Sequence, residues 1–276
     1  MAKPFDATLK ELLERYPSDW LAQLGMTAAG TVELIDADLS TITTQSDKLI
    51  RVNDPDPWLL HIELQAGRDP RVDRRALKYN VLAFDRHDLP VESVVVLLRP
   101  EADAPNLTGR LAYRPARGKG SLEFQYQLLR LWQRPVETVL AGGVGTLPLA
   151  PLCAFSQEAV PEVIDQMRER FQRDASPPEA AILWTSTYIL MGLRFPPRVV
   201  AQMLRGVRDM EESATYQAIL AEGEKRLLLL MGTKRFGPPD APTRAAIDEL
   251  DSPKRLEQLS ERLLEVASWE ELLTAS

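Results

Sequence analysis

Hydrophobic and polar residues repeat with different periods along the chain, and each change of period marks a new element. The apolar residues from Phe5 to Tyr16 follow helical spacing, which predicts an amphipathic helix that Pro17 stops and for which Asp6 is the expected N-cap. Residues 31–39 are typical of a first strand, in which Asp36 and Asp38 share a face. The N-terminal part is therefore expected to lead from a helix into a sheet.

A β-hairpin is predicted next, formed by residues 47–52 and 58–65 around a turn rich in Pro and Asp. Residues 60, 62 and 64 are apolar and fall on one face of the second strand. His61, Glu63 and Gln65 fall on the other face. This hairpin therefore brings a row of polar side chains into the predicted sheet.

A helix over residues 73–87 follows, and its inward stripe is predicted to be Leu77, Val81 and Phe84. Residues 91–98 are apolar without alternation, which indicates a central strand covered on both faces. Residues 101–120 are expected to form a loop or an irregular hairpin. Residues 122–128 alternate, which favours a single strand at the sheet edge.

The second half of the chain has a helical pattern punctuated by Pro and Gly. Helices are predicted over 160–171, 179–191, 197–210 and 213–235, and the Gly-rich run 142–145 is interpreted as a plain turn. An apolar stripe from Leu256 to Val266 precedes a capping box formed by Ser268 and Glu271. The predicted organisation is an α/β domain over 1–135, a helical extension over 136–212 and a small helical module over 213–276.

Composition narrows the class of protein. The 276 residues are 45% hydrophobic, enough for one substantial core, and the net charge of −7 excludes general coating of nucleic acid. The one cysteine, Cys153, suits a reducing compartment and a buried structural role. The N-terminal residues lack the apolar core of a secretory signal, and no apolar run is long enough to span a bilayer. We therefore expect a cytoplasmic protein that does not enter the membrane.

The candidate chemistry lies in the hairpin and the helix after it. Asp47 begins one strand and Glu63 lies on its neighbour, so the two carboxylates can converge on a divalent cation such as Mg²⁺. Arg75 and Lys78, on a basic helix, could hold phosphates, and Tyr79 could either bind a phosphate or brace the sheet. The sequence therefore predicts a metal and phosphate site.

A structural alternative is open for the same residues. Asp47 and Glu63 could be strand-end acids paired with Arg51, Arg75 or Lys78. His61 is interpreted as a packing or supporting residue, and Asp36 and Asp38 as rival ligands or solvated turn residues.

Several short motifs, taken in order, resemble the Rpn family. This family comprises recombination-promoting nucleases and transposase-like proteins of the PD-(D/E)XK nuclease superfamily, and the resemblance covers about residues 5–99. Lys234-Arg-Phe-Gly237 and residues 256–272 resemble a small domain of unknown function that is often appended to such bacterial proteins. The motifs of the first part are Asp6-Ala-Thr-Leu-Lys10, Ile35-Asp-Ala-Asp-Leu39, Ser46-Asp-Lys48, Ile62-Glu-Leu-Gln65 and Arg74-Arg-Ala-Leu-Lys-Tyr79.

The resemblance implies a fold, an activity and a set of site residues. The fold would be an α/β PD-(D/E)XK nuclease-like mixed sheet flanked by helices, followed by an all-helical C-terminal part. Asp47 matches the motif aspartate, Glu63 matches the acid of the (D/E)XK element, and Gln65 stands where lysine is usual. Asp6 and Asp38 are carried at lower weight.

The implied function is cleavage of DNA by a Mg²⁺- or Mn²⁺-dependent endonuclease. Asp47 and Glu63 would hold the metal ion, Gln65 would complete the catalytic set, and Arg75, Lys78 and Tyr79 would contact DNA. The competing prediction is a non-catalytic binding or interaction protein on a nuclease-like fold, because an amide at position 65 lacks the charge of lysine. The C-terminal helices are expected to support pairing with a partner or a second copy of the chain.

Overall fold

The computed structural model describes residues 4–35, 48–114, 120–204, 221, 225, 228–250, 252–263 and 266–274. The chain divides into two compact units, one formed by Met1–Ser176 and Ser186–Gly206 and the other by Pro177–Thr185 and Val207–Ser276. Each unit is described by itself.

The first unit begins with two helices. Helix α1 (Pro4–Arg15) buries Leu9, Leu12 and Leu13, as the helical spacing predicts. Pro17 ends α1 and also starts α2 (Pro17–Gln23), because the fixed φ of proline suits the first position of a helix. Asp6 lies inside the first turn of α1 and is not its N-cap.

A mixed five-stranded sheet forms the core of this unit. In the order in which they neighbour one another, its strands are β1 (Thr31–Ile35), β2 (Lys48–Asn53), β3 (Trp58–Gln65), β4 (Val91–Leu97) and β7 (Gln127–Arg130). Strand β2 is antiparallel to β1 and to β3, whereas β4 is parallel to β3 and to β7. The predicted hairpin is confirmed by the pairing of β2 with β3.

Helix α3 (Val72–His87) connects β3 to the parallel strand β4 and packs on the sheet. The helix was predicted, but two of the three residues of its predicted inward stripe are wrong, because Val81 and Phe84 are 51% and 53% exposed. Leu77, the third, is partly buried and packs against the core. The side chains buried beneath the helix are instead a row with the same helical spacing. They are Val72, Ala76, Tyr79 and Ala83, together with Asp73 near the start of the helix.

The region after β4 departs from the prediction at one point. Strand β4 is buried on both faces from Ser93 onward, as predicted. Residues 122–128 are not one strand, because β6 (Leu122–Gln125) pairs with β5 (Arg110–Tyr113) in a separate hairpin. Tyr126 marks the break, and its backbone N–H donates to Gly109 O at 2.9 Å. The residues that follow join the main sheet as β7.

Helices complete the first unit. Helix α4 (Val136–Leu140), the 3-10 helix Val144–Leu152, α5 (Val160–Asp174) and α7 (Pro197–Met203) belong to this unit. Helix α6 (Pro177–Met191) is divided, because Pro177–Thr185 belongs to the second unit and only the rest of the helix to the first. The Gly-rich run 142–145 is a turn only at Gly142 and Gly143, because Val144 and Gly145 already belong to the 3-10 helix. Gly145 N–H donates to Asp19 Oδ2 at 2.7 Å, and a Cβ on Gly145 would lie 2.1 Å from Tyr16 Cβ. Glycine is therefore required there by the close approach of Tyr16, the residue just before α2.

The second unit is helical, as predicted for the C-terminal part. Residues 228–236 are helical, and Ala241–Asp248, Pro253–Arg262 and Trp269–Thr274 follow as helices. Leu256, Leu259 and Leu263 of the predicted stripe are buried, and Val266 at its end is partly buried. Leu228, Ile247 and Trp269 belong to the same cluster. The capping pattern forms with one shift: Glu271 N–H donates to Ser268 Oγ, whereas the Glu271 carboxylate accepts from Ala267 N–H. Much of the predicted helix 213–235 lies outside the described residues.

Candidate functional site

A row of polar side chains lies on β3 beneath helix α3. The central position of β3 buries both of its faces, and His61 and Glu63 are buried at 0% and 3% exposure. Apolar clusters flank the row, one around Leu49 and Leu59 and the other around Val95. Buried polar groups in such surroundings require hydrogen-bond partners, so the neighbours of this row decide what it can do.

Arg75 is the main partner of Glu63. Its Nε donates to Glu63 Oε1 at 3.0 Å, and one of its terminal nitrogens donates to the same oxygen. The side chain of Glu63 is 4% exposed and that of Arg75 is 32% exposed, so the pair joins a buried carboxylate to a cation that reaches solvent. This contact is one of the ion pairs that the structural alternative offered for Glu63.

Arg75 also joins Glu63 to two other polar groups. Arg75 Nη1 forms an ion pair with Asp69. Arg75 Nη2, the terminal nitrogen that contacts Glu63, also donates to Gln65 Oε1 at 2.8 Å. The amide of Gln65 in turn donates to Gly67 O at 2.5 Å. One guanidinium therefore fixes the end of β3 and the loop that leads into α3, which is an arrangement suited to its planar set of donors.

The second oxygen of Glu63 has no hydrogen-bond partner within the described part of the chain, although it is buried. A buried carboxylate oxygen without a partner is costly, so this atom needs a further cation or donor. The nearest described part of β2 is Lys48, which pairs with Ile62. Residues 36–47, which precede it, contain the predicted ligand Asp47 and lie outside the described residues.

His61 lies two residues from Glu63 on the same strand. Its Nδ1 is 3.2 Å from Ser93 Oγ, and its ring centroid is 5.7 Å from that of Tyr79. Burial lowers the pKa of His61 to about 4, while the nearby Glu63 opposes this shift and Arg75 adds to it. His61 is therefore neutral near pH 7, which agrees with its interpretation as a packing or supporting residue.

The three predicted phosphate contacts have different environments. Tyr79 is 5% exposed and packs against His61, which is the sheet-bracing alternative for this residue. Lys78 is exposed, with Nζ 6.0 Å from the Tyr79 ring centroid. Arg75 is engaged with acidic and amide groups, and a third of its side chain remains accessible. The described structure therefore brings Arg75 to Glu63 and Gln65 and leaves Lys78 facing solvent.

The other predicted site residues do not join this group. Asp6 is on α1, whereas Asp38 and Asp36 belong, like Asp47, to the residues outside the described ranges. Among the residues that the structure describes, no group of three or more His, Cys, Asp or Glu side chains is placed to hold a metal ion.

Sequence reasoning missed two polar contributors. Asp69 was not singled out, since a lone acid in a loop carries no periodic signal, yet it completes the contacts of Arg75. Asn80 was also missed: its amide donates to Val91 O at 2.8 Å and to Ser93 Oγ at 3.1 Å. In the sequence, Asn80 is marked only by its place next to Tyr79 on the predicted helix.

Comparisons with known proteins give no relative. No family model matches the chain, and neither a curated protein nor a solved structure matches it. Within the described ranges, none of the helices combines the length and apolarity needed to span a membrane.

Proposed function

We propose that this protein is a DNA endonuclease that uses Mg²⁺ or Mn²⁺, with Asp47 and Glu63 as the metal ligands. The observation that carries the proposal is the buried Oε2 of Glu63, which has no partner among the described residues and lies on the strand that pairs with β2. A divalent cation would satisfy this oxygen. The mixed sheet flanked by helices agrees with the PD-(D/E)XK nuclease-like fold implied by the motif order.

The proposal makes a specific demand on Asp47. Lys48 pairs with Ile62 in the antiparallel ladder, and Asp47 is covalently next to Lys48. If the ladder continues by one residue, Asp47 faces Glu63, and directly opposed side chains lie on the same face of a sheet. The proposal therefore requires this continuation of the register.

The chain's own residues have separate tasks in the proposed reaction. Arg75 holds the Glu63 carboxylate in position, and the exposed Lys78 binds a backbone phosphate of the DNA. Gln65 accepts a hydrogen bond from Arg75 and supplies an amide where a lysine is usual, so it orients groups without adding charge. A metal ion at this site would supply Lewis-acid activation of the phosphate and a more acidic bound water.

The test is the nicking of supercoiled plasmid in the presence of Mg²⁺ or Mn²⁺. Asp47→Asn and Glu63→Gln keep side-chain size and are expected to slow nicking by more than about a hundredfold, because each removes a charged ligand. Asp69→Asn is the matched control, since Asp69 also contacts Arg75 but is not a proposed ligand. The proposal is wrong if the wild type does not nick DNA with either metal, or if both ligand variants nick as fast as Asp69→Asn.

A second function is favoured by a different observation. The carboxylate of Glu63, the proposed metal ligand, already forms an ion pair with Arg75. The amide nitrogen and the amide oxygen of Gln65 are both hydrogen-bonded. A non-catalytic binding or interaction protein on a nuclease-like fold would need no more than this structural arrangement. Leu230 and Met231, 56% and 36% exposed in the helical module, are then the candidates for contact with a partner or a second copy.

Calorimetric titration separates the two functions. Binding heat with Mn²⁺ in the wild type that disappears in Asp47→Asn supports the metal site and the nuclease. No binding heat in the wild type supports the interaction protein. In that case, light scattering of the wild type and Leu230→Glu is expected to show an oligomer that the variant dissociates.

A further inference from the structure

A concavity that holds two arginines lies in the first unit, at the edge where the parallel strands end. It has a volume of about 300 Å³ and is lined by residues that follow β4, β7 and α6 and by the last residue of the 3-10 helix Val144–Leu152. The carboxyl ends of parallel strands meet at one edge of a sheet, and this edge is where open α/β sheets bind ligands. The lining residues are Leu98, Arg99, Pro100, Glu101, Trp132, Leu152, Leu193 and Arg194.

Two guanidinium groups give this pocket its charge. Arg99 and Arg194 line it together with one carboxylate, that of Glu101. Glu101 is 69% exposed at its side chain and lies 3.9 Å from Arg99 Nε, so it neutralises the arginines only in part. A locally positive concavity in a chain of net charge −7 concentrates small anions.

Arg194 is held in place before any ligand arrives. Its Nη1 donates to Pro151 O at 2.9 Å and to Cys153 O at 2.7 Å. The guanidinium also lies over the Phe155 ring at 4.4 Å and the Phe195 ring at 5.2 Å. A side chain fixed in this way loses little conformational entropy when it binds an anion.

Arg99 is anchored at one end and leaves its outer nitrogens for a ligand. Its Nε donates to Ala66 O at 2.5 Å, which ties the side chain to the residue just after β3. Among the residues that the structure describes, none accepts a hydrogen bond from its two terminal nitrogens, and these atoms form the fork that matches a phosphate. The backbone N–H of Leu98 donates to Gln65 O at 2.9 Å, so the segment that carries Arg99 continues the ladder of β3 and β4.

The remaining walls are apolar. Leu98, Leu152 and Leu193 surround the two arginines, and Trp132 adds an aromatic ring. The volume lies at the lower end of the range of about 300–1,000 Å³ that is typical of small-molecule sites. Such a site fits a compact ligand with an anionic group at one end and an apolar or aromatic body at the other.

We propose that this pocket binds an organic phosphate of nucleotide size, with the phosphate between Arg99 and Arg194 and the ring against Trp132 and the leucines. The ligand is either a free nucleoside monophosphate or the phosphorylated end of a nucleic-acid strand, since both present the same chemistry. The proposal does not depend on the metal ligands Asp47 and Glu63.

The experiment is a calorimetric titration of the full chain with adenosine monophosphate in the presence of EDTA, which removes any contribution from the metal site. Arg99→Gln is expected to weaken binding about ten- to a hundredfold, because it removes a charge-assisted pair of hydrogen bonds. Arg198→Gln is the matched control, since it removes the same charge from an exposed position of α7 outside the pocket. Adenosine without phosphate is expected not to bind.

A second variant keeps the test valid if Arg99→Gln does not fold. Glu101→Gln removes the carboxylate that opposes the phosphate and is expected to tighten binding about threefold or more, in keeping with the loss of an exposed charge interaction. A short oligonucleotide with a 5′-phosphate, compared with the same strand without it, distinguishes a strand end from a free nucleotide. The proposal is overturned if adenosine monophosphate fails to bind at millimolar concentration, or if no pocket variant differs from Arg198→Gln.

Discussion

The buried ion pair beneath α3 gives the sharpest prediction about this molecule. Arg75→Met removes the cation and leaves the Glu63 carboxylate, which is 4% exposed, without its main partner. Breaking a buried ion pair in this way lowers the free energy of unfolding by several kcal/mol. Because a third of the Arg75 side chain is exposed, water can reach the site and the destabilisation is smaller. We therefore expect a destabilisation of about 3 kcal/mol.

The assay is thermal unfolding followed by circular dichroism in EDTA. In a domain of this size, each kcal/mol of destabilisation lowers the melting temperature by about 2–4 °C. The melting temperature of the first unit is therefore expected to fall by about 6–12 °C. Arg74→Met is the matched control, because Arg74 is an exposed neighbour on the same helix and its substitution preserves helix propensity. The double variant Glu63→Met/Arg75→Met is expected to recover most of the loss, since a pair of apolar side chains leaves no buried charge.

The reasoning would be refuted by an Arg75→Met variant that melts within about 1 °C of the Arg74→Met control, because Glu63 would then rely on another partner. Adding Mg²⁺ extends the same experiment. A cation that binds only the folded protein raises its stability, so the proposed metal site predicts that Mg²⁺ rescues Arg75→Met. The rescue is expected to disappear when Asp47→Asn is combined with Arg75→Met.

Three further predictions concern single residues. Burial lowers the pKa of His61 to about 4, so as the pH falls below about 6.5 the unfolded state binds a proton before the folded state does. The His61 contribution to the free energy of unfolding should therefore decrease by about 3 kcal/mol from pH 7 to pH 4. His61→Leu should lack this decrease in thermal melts at several pH values. Burial raises the pKa of the Cys153 thiol to about 12, so a thiol reagent at pH 8 should label the unfolded chain but not the native one. Gly145→Ala should destabilise the first unit by about 1–3 kcal/mol because its Cβ would meet Tyr16, whereas Gly67→Ala, where a Cβ meets nothing, should melt as the wild type does.

The hairpin, α3 and β4 could be predicted because their apolar periods are unambiguous, but the face of α3 could not. The helix lies close to the sheet, and the residues that fit beneath it are small, notably Ala76 and Ala83. A stripe chosen by hydrophobic size selects Val81 and Phe84, which face outward. Close packing against a sheet therefore overrides the size of the apolar side chains, and this depends on tertiary distances.

The break between β6 and β7 was hidden for a similar reason. Alternation continues through Tyr126, so the period gives no sign that residues on its two sides join different sheets. The break is caused by pairing with a distant segment, since the Tyr126 N–H bonds to Gly109 O. Information of this kind is absent from a local pattern.

The candidate site was predictable in part. Spacing placed Glu63 and Gln65 on one strand face and offered Arg75 as a partner, and the structure brings these three together. The contribution of Asp69 depends on how the loop folds back on the helix, which no local pattern encodes. The pocket with Arg99 and Arg194 joins segments far apart in sequence and could be found only from the fold.

The parallel arrangement of β4 and β7 has a consequence for how the chain folds. Strand β4 can pair with β3 as soon as α3 has formed, but its other edge stays open until β7 arrives after the β5–β6 hairpin. That open edge is the apolar run Val94–Leu97. An unpaired apolar edge strand can form backbone hydrogen bonds with other chains during synthesis and so lead to aggregation. The rate at which β7 docks therefore sets how long a nascent chain is exposed to aggregation, and shorter connections before Gln127 would favour a higher soluble yield.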